Sequence, residues 1–331
     1  MKREDESFSF GPIPSRRLGR SIGVKNLPLA HCSYACIYCQ AGATQHMTVK
    51  RKDFYPPELI YDDVCRRLES LDNGPESVDY ITIVPDGEPT LDSNLGTLLE
   101  LLGRTGIARA VISNASTIQR EDIRDDLALA DWVSLKVDAV TPSTWRSLNR
   151  PHGKLQLTAI LEGIELFSQT YQGSGGSLMT ESMLVHGVNG DLDDLARLGE
   201  YLALVEPKVA YLSIPTRPPV ENWVQSPSTS LLNSAYQELA SRLEPLGSKV
   251  AYLLSYEGDD FSHGQDVERD ILSITSVHPM RVAALLRLLH KAGETWTLVE
   301  DLVAQGQLVQ AKHQGHTYYM RKLPGAVSQR R

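Results

Sequence analysis

The sequence predicts an α/β protein built on parallel strands curled into a barrel or partial barrel, followed by a small winged-helix-like domain. Three observations point there. Apolar stretches rich in β-formers alternate with segments of helical period for about 250 residues, the signature of repeated βα units. Polar loops that carry unusual residue combinations fall at the carboxyl ends of those strands, where barrels do their chemistry. After about residue 255 the composition changes, SYEGDDFSHGQD being polar and glycine-containing, and a compact unit follows.

In chain order the predicted strands are 19–27 (GRSIGVKNL), 78–84, 108–113, 132–138, 178–186, 208–214 and 249–254. Amphipathic helices are expected at 56–71, 93–103, 119–130, 154–171, 190–204 and 228–246. An open doubly wound sheet would satisfy the same pattern, because strand order is not written in periodicity. Domain bounds of 1–255 and 267–331, with a linker at 256–266, follow from the composition. In the second unit, 281–292 and 297–305 read as helices joined by GETW, and LVQAKHQGHTYYMRKL reads as a hairpin turning at Gln314-Gly315. A short helix before His278-Pro279 would complete the winged-helix pattern.

With 41% hydrophobic residues, the 331-residue chain can bury one large core or a large and a small one. No apolar run approaches membrane-spanning length, and MKREDESFSF lacks the apolar block of a signal peptide. A cytoplasmic protein with no membrane partner is expected. Residues 267–331 hold nine Lys or Arg against five Asp or Glu, a net of +4, leaving 24 against 36, or −12, in the first 266. The net charge of −8 gives no general attraction to nucleic acid.

Three of the four cysteines, Cys32, Cys36 and Cys39, fall within HCSYACIYCQ after the first predicted strand. In a reducing compartment such a cluster points to metal or catalysis more than to disulfides. Three thiolates leave one position open, as in an iron–sulfur cube with one free iron. A zinc site with His31 or His46 as fourth ligand satisfies the same count. The loop after the next strand is Pro85-Asp86-Gly87-Glu88-Pro89-Thr90.

Paired with C-x3-C-x2-C one βα unit upstream, that loop resembles the radical S-adenosylmethionine superfamily. The resemblance covers residues 10 to 255. It implies a partial (β/α)6 TIM-like barrel, one [4Fe-4S] cluster on Cys32, Cys36 and Cys39, and S-adenosyl-L-methionine bound at the open iron. Tyr38 matches the family's aromatic residue before the last cysteine. Gly87, Glu88 and Pro89 match the motif that meets the methionyl amine, whose first glycine is Asp86 in this chain. Ser113 and Asn114 fall where the family's polar residues reach the cofactor. The implied reaction is reductive cleavage to methionine and a 5′-deoxyadenosyl radical, with reduced flavodoxin or ferredoxin as donor.

In VSLKVD, Ser134, Lys136 and Asp138 share one strand face. A lysine there is costly unless paired, so Lys136 is read as a cofactor or substrate contact, with an ion pair to Asp138 or Glu88 as the alternative. Asp138, Glu181 and Arg217 are substrate-side candidates. Cys65 reads as a small core residue of its helix, and Arg16, Arg17 and Arg20 as a solvated face.

FGPIPSRRLGRS together with HPMRVAALL and GHTYYMRKL resembles a group of radical enzymes broadly related to the wyosine tRNA base synthase. No cysteine precedes Cys32, so that synthase's second cluster is not expected here. The substrate is left among small molecules, protein and tRNA, a protein substrate corresponding to an activase. The predicted recognition helix TLVEDLVAQ carries Glu300 and Asp301 and no basic residue, which argues against sequence-specific DNA binding. Lys312, His313, His316, Arg321 and Lys322 could still touch RNA. A redox-sensing iron–sulfur or zinc regulator is the rival from another class.

Overall fold

The computed structural model describes residues 7–71, 77–254, 258–262, 264 and 266–322. Residues 256, 257, 263 and 265 of the expected linker, and 323–331 of the C-terminal unit, lie outside them.

The chain opens with strands β1 (Ser9–Ser15), β2 (Gly19–Val24), β3 (His31–Cys32) and β4 (His46–Met47), then helix α1 (Pro57–Glu69). Next come β5 (Tyr80–Ile83), α2 (Leu95–Gly103), β6 (Ala108–Ser113), α3 (Glu121–Ala128) and β7 (Trp132–Lys136). They lead into α4 (Pro142–Asn149), α5 (Leu157–Gly173), β8 (Ser177–Met183), α6 (Leu192–Val205), β9 (Val209–Ser213), α7 (Thr229–Leu243) and β10 (Lys249–Leu253). The C-terminal unit holds α8 (Val267–Val277), β11 (Met280–Arg281), α9 (Val282–Ala292), α10 (Thr297–Ala304), β12 (Leu308–His313) and β13 (His316–Arg321).

The main sheet runs β1-β2-β5-β6-β7-β8-β9-β10. From β2 onward every neighbouring pair is parallel and follows chain order. That order, with helices in the connections, is an α/β fold consistent with a partial barrel, and it removes the doubly wound alternative. All seven predicted strands are present. The first ends at Val24, because Asn26 turns away to donate to the Pro89 carbonyl and Asp92, and the fifth ends at Met183. β1 was not expected, since Pro12 and Pro14 interrupt its pattern. It pairs antiparallel with β2 alone at the sheet's edge, the place where a strand tolerates proline. Helix α4 was also not expected.

Strand alternation sorts the side chains. Ile81, Ile83, Val111, Val133, Leu135, Leu178 and Leu212 face the helices and join one large core with Val64, Leu98 and Leu127. The alternate positions face inward. Leu18, Ala110, Trp132 and Met179 fill the lower lumen, so the polar layer above them, Lys136 and Glu181, sits on an apolar floor.

In the C-terminal unit, β11, β13 and β12 form a three-stranded sheet, and β12 and β13 turn at Gln314-Gly315 as expected. Its core is not separate from the barrel: Phe10, with Ile13 and Val84, packs among Ile271, Ile274 and Leu285. Arg67 of α1 pairs with Asp270 of α8 at 2.6 Å, their side chains 10% and 2% exposed. No helix among the described residues is long and apolar enough to cross a membrane.

Breaking a buried pair by removing one partner typically costs about 3–5 kcal/mol, whereas an exposed pair is worth under about 1 kcal/mol. Asp270→Ala should therefore lower the urea-derived unfolding free energy several-fold more than Arg120→Ala, which removes the exposed Arg120–Asp122 pair.

Candidate active site

At the carboxyl ends of the strands lies a cavity of about 350 Å³ whose wall includes Cys32, Cys36, Cys39, Glu88, Lys136 and Arg217. The cysteine loop leaves β2, makes the brief β3, and is held by bonds from several directions. Ala30 N–H donates to the Asp86 carbonyl at 2.9 Å, and Glu88 N–H to the His31 carbonyl at 3.0 Å. Gly87 lies between them so tightly that a Cβ there would overlap the His31 carbonyl. The loop after β5 is thereby pressed onto the loop that carries the thiols.

Glu88 is 1% exposed and its carboxylate accepts from Thr90 N–H, Thr90 Oγ1, Ser113 Oγ and Asn114 N–H at 2.6–3.1 Å. Burial pushes its pKa up, and those donors act against the shift. Ser113 and Asn114 line the cavity and are both tied to Glu88. Asn114 Nδ2 also donates to Cys32 Sγ at 3.5 Å and to Ser33 Oγ at 3.0 Å. On the other side, Asn149 Nδ2 donates to Cys36 Sγ at 3.4 Å. Burial pushes Cys36 up to about 12, Asp138 adding to it, and raises Cys32 and Cys39 as well. Thiolates at this site need a cation beside them. Asp86, the departure from the motif's first glycine, lines the same cavity. Burial raises its pKa, and the Lys25 ammonium and then the Ser276 hydroxyl act against that push.

Lys136 pairs with Asp138 at 3.2 Å and Glu181 at 3.1 Å, and not with Glu88. Glu181 is shared with Arg17, which lies 5.8 Å from the Trp132 ring centre and 5.9 Å from that of Tyr211. Burial alone would raise the Glu181 pKa; Lys136 and then Arg17 outweigh it and hold the carboxyl well below the usual range. Asp138 accepts from Tyr38 Oη, Asn149 Nδ2 and Met183 N–H. With Lys136 added, its lone pairs are occupied inside the protein.

Several residues read differently in three dimensions. Arg16 and Arg17, expected on a solvated face, line the cavity because the β1–β2 hairpin folds over it. Arg20 is exposed. Cys65 is half-buried on α1, away from the cavity. His31 and His46 stack at 4.3 Å, with His31 Nδ1 3.1 Å from the Leu29 carbonyl. Among the described residues no three His, Cys, Asp or Glu side chains are grouped closely enough to hold one metal ion. Asn149 and Gln40 carried no signal in the sequence.

A parallel αβ sheet with three half-buried thiols and a bonded polar loop at its carboxyl ends is the arrangement of a barrel enzyme with its site at the strand ends. The chain belongs to the radical SAM superfamily, which it matches over residues 27–199, and it is a radical SAM enzyme. Membership implies a [4Fe-4S] cluster and S-adenosylmethionine. The chain is 40% identical to UPF0026 protein MJ1312 of Methanocaldococcus jannaschii, over 96% of its own length and 97% of the relative's. Its fold is similar to that of TYW1 with a lysine-pyruvate adduct bound, with a TM-score of 0.51, 17% identity and coverage of 67% and 73%. It is similar also to Streptococcus suis SuiB bound to precursor peptide SuiA, with a TM-score of 0.54, 12% identity and coverage of 72% and 50%.

Gly87→Ala should unseat the cysteine loop, and iron content after anaerobic reconstitution should fall at least several-fold. The depressed Glu181 pKa contributes stability that is full above its ordinary value of 4.5 and is lost as pH falls toward the folded value. Lys136→Met should be less stable than the parent at pH 7, with the gap narrowing toward pH 3 in urea denaturation, since the variant has less of that contribution to lose.

Proposed function

We propose that Cys32, Cys36 and Cys39 hold one [4Fe-4S] cluster with an open iron, and that the enzyme binds S-adenosyl-L-methionine there and abstracts hydrogen from a substrate in the same cavity. The observation that carries this reading is the bonding of the Asp86–Pro89 loop to the loop of three half-buried thiols. The donor set fits the group: three soft ligands share one cavity wall. Amide N–H groups meet two of the sulfurs, an arrangement that stabilises ligated thiolate. Burial makes an unligated thiolate costly, and metal charge removes that cost.

When bound, the reduced cluster and S-adenosylmethionine supply a 5′-deoxyadenosyl radical. The protein's part is to bind, orient and exclude water. Gly87 and Glu88 line the cavity where the methionyl end would bind, and Pro89, off the wall with its carbonyl taken by Asn26, shapes their turn; the buried Asp86 carboxylate on the same wall would accept from a cationic group. Glu88, Ser113 and Asn114 brace the cysteine loop. Tyr38, tied to Asp138, packs beneath Lys136, whose ammonium lies 5.1 Å from its ring centre. Lys136 with Glu181, and Arg217 on the same cavity wall, present charge to the cofactor's carboxylate and to substrate. Asp138 holds these groups in place and does not itself line the cavity.

We infer a domain division at about residue 255, with a winged-helix-like C-terminal unit. The order helix, strand, two helices and hairpin supports it. Reduced flavodoxin or ferredoxin is the proposed electron donor in a cytoplasmic setting. The substrate classes proposed are a small molecule, a protein and tRNA.

Anaerobic reconstitution should load about four irons per chain, and dithionite with S-adenosylmethionine should release 5′-deoxyadenosine. Cys36→Ala should abolish both. A fully loaded cluster that cleaves no S-adenosylmethionine would overturn the reading.

A further inference from the structure

The C-terminal unit meets the catalytic cavity at two places. At one, Lys25 Nζ, just past the end of β2, donates to the Ser273 carbonyl at 2.9 Å and to Ser276 Oγ at 2.6 Å. That contact brings the end of α8 down so that Val277 and His278 form part of the cavity wall. At the other, the β12–β13 hairpin sits on the loop that follows β9. Tyr318 is fully buried. Its hydroxyl donates to the Thr216 carbonyl at 3.0 Å and accepts from Arg281 Nε at 3.0 Å. His313 Nε2 and Gln314 Nε2 lie 3.2 and 3.1 Å from the Pro215 carbonyl. His313, considered above for RNA contact, is therefore used to dock the hairpin onto the barrel.

The residue after Thr216 is Arg217, 7% exposed and on the cavity wall with Cys39. Arg217 Nη1 donates to Gln40 Oε1 at 3.1 Å, and Gln40 follows Cys39 directly. The same loop returns to the cysteine segment through its backbone, Val220 N–H donating to the Cys39 carbonyl at 2.9 Å and Glu221 N–H to that of Ile37 at 3.3 Å. A continuous run of contacts thus joins the hairpin's buried tyrosine to Gln40 and the backbone of Cys39.

We propose that Tyr318 is a positioning residue of the active site: by holding Thr216 it sets Arg217 beside the cysteine loop, so the C-terminal unit tunes the electrostatics of the cluster. This rests on the reading that the three thiols hold the cluster. A cation near an iron–sulfur centre favours its reduced, more negative state, and nearby charge is one of the levers that set reduction potential. The C-terminal unit is in this view a component of the redox site, and its hairpin face is turned toward the barrel.

The test is an EPR-monitored redox titration of the full-length, anaerobically reconstituted protein. Arg217→Gln, which keeps a donor for Gln40 and removes the charge, should shift the midpoint potential to more negative values, and Arg217→Lys should restore most of the shift. Tyr318→Phe, which removes only the hydroxyl, should shift it in the same direction by a smaller amount. The double variant should go no further than Arg217→Gln alone, because both changes act through one group. His313→Ala is the second variant should Tyr318→Phe fold poorly, and it should repeat the smaller shift. A parent-like potential in Tyr318→Phe and His313→Ala, with Arg217→Gln shifted, would overturn the positioning role. An unshifted Arg217→Gln would overturn the electrostatic one. A parent protein that loads no reducible cluster would instead overturn the underlying reading.

Discussion

The carboxylate of Glu88 is the constraint on which the upper face of the barrel depends. Its donors are all neutral and come from its own turn and from the end of β6, while its backbone N–H holds the His31 carbonyl at the start of the cysteine loop. One buried residue therefore joins three successive strand ends. A buried acid is expensive unless its lone pairs are filled, and filling them requires the β5 and β6 loops to lie where they do. Asn114, fixed through its backbone by Glu88, is then able to direct its side-chain amide at Cys32. Placement of the first thiol follows from satisfying an acid that does not touch it.

A second network, of charges, occupies the lumen below. Lys136, Glu181, Asp138 and Arg17 form a linked set in which each cation is shared or stacked. Such a set contributes little net stability, since desolvation offsets much of the attraction. Its use is geometric. β7 and β8 are adjacent, with Lys136 directly opposite Glu181 in the register, so the pair turns strand order into a fixed charge pattern under the cavity. Asp138 extends that pattern sideways to Tyr38 and Asn149, and Asn149 ends on Cys36. Two of the three thiols are thus reached by separate polar networks that begin on different strands.

The sequence was most legible where residues act within one short segment. The cysteine spacing and the Asp86–Pro89 turn are local patterns, and both could be placed at strand ends because period-two and period-3.6 stretches alternate. Lys136 was legible as a costly buried cation, although its partner on the next strand, Glu181, could be seen only as a separate candidate. Arg17 was not legible at all. Its role depends on β1 folding back on β2, and Pro12 and Pro14 hid that strand. Helix α4 and Asn149 were missed for a similar reason, being a short segment whose signal is weak beside the longer α5.

The amino-acid sequence by itself determined the alternation of strands and helices, the three thiols in one loop and the companion turn. These follow from side-chain period and spacing, which are properties of neighbours in the chain. The tertiary structure alone decided that the sheet orders its strands sequentially, that Arg16 and Arg17 turn inward, and that Asp138 is spent on internal partners. It alone brought the C-terminal hairpin to the loop carrying Arg217, joining Tyr318 to Thr216 across 102 positions of the chain. Contacts of that kind depend on how elements pack against one another, and no local pattern encodes the meeting of two surfaces.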